Sequence, residues 1–285
     1  MLETNTLEAN KLPEFSKVHL LSARILGWTR TLLVATVWVS AGLFGLYILA
    51  FYVAALSEGK LTRWNEILPG LYSEGATQAT TGIGLHFFMG GIILVLGSIQ
   101  LIDAVRIKYP AIHRAIGRIY LIASLFAALG GLSFIFIKGT IGGMVMNIGF
   151  GLYGLLMILC SVATYKYAVA RKTDQHRAWA LRLYALAIGS WLYRMDYGFW
   201  ILLTGGAGHN SNFTGLFDGV MAFFFYLPNL LVAEIVIRSD KNKTPPTAIN
   251  IVFTVILLGV ISFLLLGTYF FTKEYWGPAI IKWLA

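Results

Sequence analysis

Seven apolar runs, each about twenty residues long, follow one another along the chain at 31–56, 84–107, 119–137, 141–165, 183–204, 220–237 and 249–272. Crossing a ~30 Å hydrocarbon core takes about 20 helical residues, and lipid forces every backbone polar group to be satisfied within its own segment. The pattern therefore predicts an all-α integral membrane protein with about seven transmembrane helices. Residues 1–30 read as a cytoplasmic interfacial segment, 31–272 as a single transmembrane domain, and 273–285 as an outer interfacial tail whose Tyr275, Trp276 and Trp283 form an aromatic belt. Within the first segment, Phe15, Val18, Leu21, Ile25 and Trp28 are interspersed with Lys17, His19 and Arg24, the composition of a helix lying in the interface. The stretch 57–82 reads as a partly ordered lid over the outer face, and 239–246 as a cytoplasmic turn.

Composition agrees with the pattern: 58% of residues are hydrophobic and 12% charged, against roughly 25% charged in a soluble domain. The net charge of +9 is topological and implies no nucleic acid. With the N-terminus inside, sixteen Lys and Arg face the cytoplasm and five (Lys60, Arg63, Lys138, Lys273, Lys282) face outward, while Arg194 lies within a span. That imbalance follows the positive-inside rule and gives N-terminus in, C-terminus out, as in a multi-pass protein of the bacterial inner membrane. No apolar signal core precedes the first span. The lone Cys160 forms no intrachain disulfide and reads as space filling in the fourth span.

Between the second and fifth spans the chain repeats itself. His113-Arg114-Ala115 with Arg118-Ile119-Tyr120, and His176-Arg177-Ala178 with Arg182-Leu183-Tyr184, each open a span after a basic turn. A duplicated helical hairpin, with its core at 84–204, places equivalent residues about a pseudo-twofold axis; His113 and His176 are expected to face each other at the cytoplasmic end of a four-helix core. The same alignment pairs His86 with Asn147 at the outer end. Each of the four polar positions has a small residue one turn further on: Gly90, Gly117, Gly151 and Ala180.

Paired imidazoles beside small residues and arginines are the parts with which a helical bundle holds a haem b. His113 and His176 are the candidate axial ligands, and Arg114, Arg118, Arg177 and Arg182 the candidate propionate contacts. His86 is a further candidate metal ligand, with Asn147 opposite and Met144 or Met146 as possible partners. Helix packing accounts for small residues equally well, and the positive-inside rule for the arginines. Spacing argues against a zinc site of three converging histidines, since about 30 Å of span separates His86 from His113. A second polar set comprises Arg194, Asp196, Asp218, Gln100 and Asp103. Either Asp218 or Asp196 is the expected ion-pair partner of Arg194; the alternative is a quinone or substrate pocket walled by Trp191, Tyr193, Tyr197 and Trp200. Glu234 is expected to snorkel at the interface, and His19 and His209 carry no assigned role.

The run Leu85-His86, Gly97-x-x-Gln100, Tyr109-Pro110-x-x-His113-Arg114-x-x-Gly117-Arg118-x-Tyr120, then His176-Arg177-x-Trp179 with Arg182 and Arg194, resembles the bacterial membrane-protein family called domain of unknown function two thousand three hundred and six. Ala180 departs from that pattern, in which a methionine commonly follows the tryptophan. The resemblance implies a multi-span helical core and no established reaction. A weaker resemblance is to the ascorbate-reducible diheme cytochromes b, in which four helices carry one histidine each; the inner pair here fits and the outer pair does not. Two functional expectations follow. One is a haem b electron-transfer protein interacting with a quinone or a membrane redox partner. The other is a non-catalytic lipid- or anion-binding subunit of a larger complex, whose His-Arg mouths grip phosphate-bearing headgroups.

Overall fold

The computed structural model describes residues 14–238 and 246–284. Part of the expected first segment, 1–13, and nearly all of the expected turn at 239–246 lie outside the described residues. What is described contains helices and turns and no strand. The helices are α1 (Glu14–Ile48), α2 (Ala54–Ser57), α3 (Trp64–Ile67), α4 (Thr77–Leu96), α5 (Asp103–Lys108), α6 (Pro110–Ile137), α7 (Gly143–Val169), α8 (Thr173–Ala187), α9 (Gly189–Thr204), α10 (Leu216–Phe224), α11 (Leu227–Arg238), α12 (Thr247–Phe271) and α13 (Gly277–Leu284).

Six segments among the described residues are long and apolar enough to cross a membrane: Lys17–Ser57, Thr77–Leu101, Pro110–Ile137, Gly143–Val169, Leu216–Arg238 and Thr247–Leu284. The expected fifth span at 183–204 is helical too, divided into α8 and α9 at Ile188. A side chain at Gly189 would meet the Phe225 carbonyl at 2.9 Å, so the chain bends where backbone packs on backbone. α10 and α11 break in the same way ahead of Pro228, which has no N–H for the helix ladder.

The chain forms two compact units. The smaller comprises the described parts of 1–37 and 240–266, and the larger 38–239 with 267–285. In the smaller unit, the fully buried Asn250 donates to Ser22 Oγ at 3.2 Å, and His19 Nδ1 meets Thr247 Oγ1 at 3.2 Å. The expected interfacial stretch around 15–28 is continuous with the first span in α1. It forms no separate element because nothing in 14–48 interrupts the helical ladder: the stretch contains neither Pro nor a turn pair. At the other end of the chain, Trp276 is buried, stacked on Phe271 at 5.5 Å and packed on Phe44 at 5.4 Å. Of the expected aromatic belt, Tyr275 and Trp283 stay exposed.

The segment between the first two spans is ordered by side chains. Trp64 is buried, donates to the Tyr52 carbonyl at 3.2 Å and packs edge-on against Phe87. Asn65 bonds both ways with the Tyr72 backbone at 2.9 Å. Lys138, after α6, donates to Gly70 O at 2.5 Å and to Ser73 Oγ at 2.6 Å. Lys138→Ala is therefore expected to free the stretch 68–76 without unfolding the bundle. Limited proteolysis should cleave there several-fold faster than in the parent, with the thermal midpoint nearly unchanged.

Candidate functional site

Within the larger unit, α4 packs on α6, α6 on α7, α7 on α8, and α8 returns to α4. The four helices form the ring expected from the duplicated hairpin, with α6 diagonal to α8 and α4 diagonal to α7. Close approach of α4 to α6 depends on Gly82 and Gly130, each lying against the other's carbonyl. At the turn between the two helices, Pro110 occupies the first position of α6, where its missing N–H costs nothing. His113 and His176 open α6 and α8 and so share one end of the bundle.

At that end the histidines differ. His176 Nδ1 donates to the Thr164 carbonyl at 3.0 Å; because a carbonyl only accepts, Nδ1 carries the proton and Nε2 of the neutral ring keeps its lone pair. His113 Nδ1 is buried and has no hydrogen-bond partner, and the ring lies within electrostatic reach of His176, Arg106 and Arg114. Between these residues and the bundle centre lies a polar layer. Ser98 Oγ and Tyr184 Oη share a hydrogen bond at 2.8 Å, while Tyr120 Oη and Gln100 Nε2 are buried without partners. Gln100 fills the recess beside Gly117, its Oε1 3.1 Å from where a Cβ would stand.

The arginines also divide. Arg114, Arg118 and Arg177 are exposed and make no hydrogen bond or ion pair among the described residues. Arg182, expected to join them, is instead bound to Glu234 and lies 4.7 Å over the Trp179 ring. Glu234 does not snorkel freely: it ties α8 to α11 and also accepts from Arg238 at 3.2 Å. Packing of α8 against α11 brings the two charges together, a relation between distant segments that spacing does not encode. Asp103, expected deep, is exposed and pairs with Arg106 at 2.8 Å on the same surface turn.

His86 occupies the opposite half of the bundle. Its Nδ1 donates to the Ala127 carbonyl of α6 at 2.9 Å, again leaving Nε2 free. It lines a cavity of about 40 Å³ together with Gly90, Ile93, Ala127, Ala128, Tyr153, Met157, Ala187 and Ser190. Such a space holds a few water-sized groups; a macrocycle needs several hundred Å³. The outer candidates opposite His86 are engaged elsewhere. Asn147 Oδ1 accepts from Thr140 N and Oγ1, both at 2.7 Å, closing the turn before α7. Met144 is exposed, and Met146 is buried beneath Gly142. The methionine that shares the cavity with His86 is Met157, about three turns further along α7 than Met146. Gly90 and Gly151 face open space, and Ala180 is partly buried.

The third polar group is a knot around Asp218, whose side chain is fully buried. Its carboxylate accepts from Tyr197 Oη at 2.7 Å, Gly215 N at 2.9 Å and Asn210 N at 3.2 Å, and pairs with His209 Nδ1 at 2.6 Å. His209 was not singled out by any sequence pattern: the left-handed turn at Gly205, Gly206 and Gly208 folds it back onto the head of α10. Asp218 is thus not the partner expected for Arg194. Neither Arg194 nor Asp196 makes a hydrogen bond or ion pair with a described residue. Two of the proposed pocket walls are also committed elsewhere: Tyr197 to Asp218, and Trp200 to a 4.6 Å stack on Phe217 and a bond to the Ala207 carbonyl.

Among the described residues no three His, Cys, Asp or Glu side chains converge as a metal-ligand set. A family model described as a predicted membrane protein, DUF2306, matches residues 83–237 of the 285. The chain belongs to that family. The DUF2306 match begins within α4, takes in the rest of the four-helix ring, the Asp218 knot and the Arg182–Glu234 link, and ends before α12. No curated protein and no solved structure matches the chain, so the likeness to diheme cytochromes b rests on the sequence motifs alone.

Proposed function

We propose that this DUF2306 protein holds one haem b between His113 and His176 and exchanges electrons with a quinone or a membrane redox partner. The observation that carries the reading is the placement of the two imidazoles: they come from diagonal helices at one end of the bundle, and the Thr164 carbonyl holds His176 by its Nδ1, which leaves Nε2 as the nitrogen available to a ligand. Ligating histidines are oriented in this way by a carbonyl on the other ring nitrogen. The recess beside Gly117 is filled only by the end of a flexible side chain, Gln100, whose buried Nε2 bonds to nothing. Arg114, Arg118 and Arg177 supply free guanidiniums for carboxylates at the same end, and Arg182 does not. Asn147, the expected mate of His86, is engaged by Thr140, which argues for one haem and against two.

An absorption spectrum of the detergent-purified protein tests this directly. Cytochrome b bands are expected in the reduced-minus-oxidised difference, lost in His113→Ala and in His176→Ala and retained in His86→Ala. A colourless protein expressed with haem supplied removes the reading. The second reading, an anion- or lipid-binding subunit, is favoured by the exposed, unpaired Arg114, Arg118 and Arg177. It expects anionic lipid to be retained through purification and lost in the Arg114→Ala, Arg177→Ala double variant.

A further inference from the structure

The cavity beside His86 is walled by α4, α6, α7, α8 and the first turn of α9. Its lining includes one imidazole and two hydroxyls, and each has given a hydrogen to a backbone carbonyl. His86 Nδ1 donates to Ala127 O at 2.9 Å, Tyr153 Oη to Leu186 O at 3.1 Å and Ser190 Oγ to Ala187 O at 3.3 Å. Ala127 and Ala187 themselves line the cavity, and Leu186 adjoins Ala187, so all three groups are tied down at its wall. What they can still offer is lone pairs: one on Nε2 of the neutral ring, and those of the two hydroxyl oxygens. Met157 adds a thioether, also an acceptor. The other lining residues are glycine, isoleucine and alanine, whose side chains carry no polar atom.

The lining side chains therefore present acceptors and no spare donor, and that sorts ligands by chemistry. An anion finds no hydrogen to bind. A cation would bring its charge into a wall that holds no carboxylate, where burial is costly. Water would satisfy its two hydrogens but bury two lone pairs of its own without a donor side chain. Ammonia offers three N–H groups to His86, Tyr153 and Ser190, has a single lone pair and no charge, and is about the size of one water. The cavity, about 40 Å³, has room for it.

We infer that His86, Tyr153 and Ser190 form a binding site for neutral ammonia inside the bundle. The site is separate from the His113–His176 end and does not depend on haem. The full-length protein in detergent is titrated with ammonium chloride in exchange for sodium chloride, at constant ionic strength, while its thermal midpoint is followed at pH 7 and pH 8. A saturable rise of roughly 5–10 °C is expected at a hundredfold excess over the dissociation constant. Well below an amine's pKa the neutral fraction grows about tenfold per pH unit, so the half-saturating total concentration should fall about tenfold from pH 7 to pH 8. His86→Leu is expected to abolish the rise, and Tyr153→Phe and Ser190→Ala to raise the half-saturating concentration several-fold. Gly90→Ala adds a methyl one turn from His86 on the same face of α4, with no atom within 4 Å of it; it should narrow the cavity in a protein that still folds, and weaken the response likewise. Gly151→Ala, whose methyl also meets nothing but which does not line the cavity, is expected to respond as the parent does. If His86→Leu does not fold, Gly90→Ala and Tyr153→Phe still decide. The inference is overturned if exchange of sodium for ammonium gives no saturable rise, or if Gly90→Ala and Tyr153→Phe respond as the parent does. A half-saturating concentration equal at the two pH values also sinks it, since the ammonium ion is then the ligand. So does a shift produced by cuprous ion under reductant and not by ammonia, which would make His86 and Met157 a soft-metal pair.

Discussion

Asp218→Ala is expected to lower the thermal midpoint of the detergent-solubilised protein by roughly 6–12 °C, equivalent to about 3 kcal/mol. The carboxylate is completely buried and organises four donors from three places: Tyr197 on α9, His209 and Asn210 in the turn, and Gly215 at the start of α10. Removing it leaves the Tyr197 hydroxyl, two N–H groups and an imidazole without an acceptor in a site walled by Phe213 and Phe217. Unmet buried donors cost more than the bonds contributed, which is why the loss exceeds that of any one contact. Asp218→Asn separates charge from shape, since its amide NH2 would meet the Asn210 and Gly215 N–H groups donor against donor. It is expected to recover less than half of the lost midpoint. His209→Ala, at the partly exposed edge of the knot, is expected to cost about 1 kcal/mol. If Asp218→Ala unfolds at the parent temperature, the knot is not what joins α9 to α10.

The hydrophobic pattern made the fold legible. Apolar runs of membrane length can only be helices, and short basic turns between them can only place neighbours antiparallel, so the α4–α6–α7–α8 ring followed from the repeat of His113-Arg114 at His176-Arg177. The same reasoning placed His113 and His176 at a common end. It failed where a side chain's partner is remote in sequence. Arg182 meets Glu234, 52 residues away, whereas Arg118, which shares its Arg-x-Tyr ending but follows its histidine by five residues instead of six, makes no ion pair with a described residue. The repeat aligns Asn147 with His86, yet its oxygen accepts from the Thr140 N–H and hydroxyl seven residues earlier and so is committed to the turn before α7. His209 was invisible because a lone histidine in a glycine-rich loop has no periodicity; only the left-handed glycines around it hint at a chain that doubles back. The split of the chain into two units left no trace in composition, since α1 and α12 run unbroken through the boundary.

Gly130→Ala is the second large effect, and it links packing to the site. A Cβ at Gly130 would lie 2.9 Å from His86 N, 3.3 Å from Leu85 Cβ and closer still to the Gly82 carbonyl. Two of these three neighbours are backbone, so no rotamer change relieves the overlap and α4 must move off α6. Overpacking of this kind costs about 2–3 kcal/mol. The displacement also pulls His86 Nδ1 away from the Ala127 carbonyl it now meets at 2.9 Å, freeing the imidazole to change tautomer. The expected outcome is a lowered thermal midpoint together with an altered His86 ring signal in nitrogen-15 spectra of selectively labelled protein. Gly151→Ala is the contrast: its added methyl meets nothing within 4 Å. There the usual helical preference for Ala over Gly should stabilise the protein by about 0.5–1 kcal/mol. Equal destabilisation by both variants would mean that the glycines act through general helix propensity, and that the contact of Gly82 with Gly130 does not set where His86 stands.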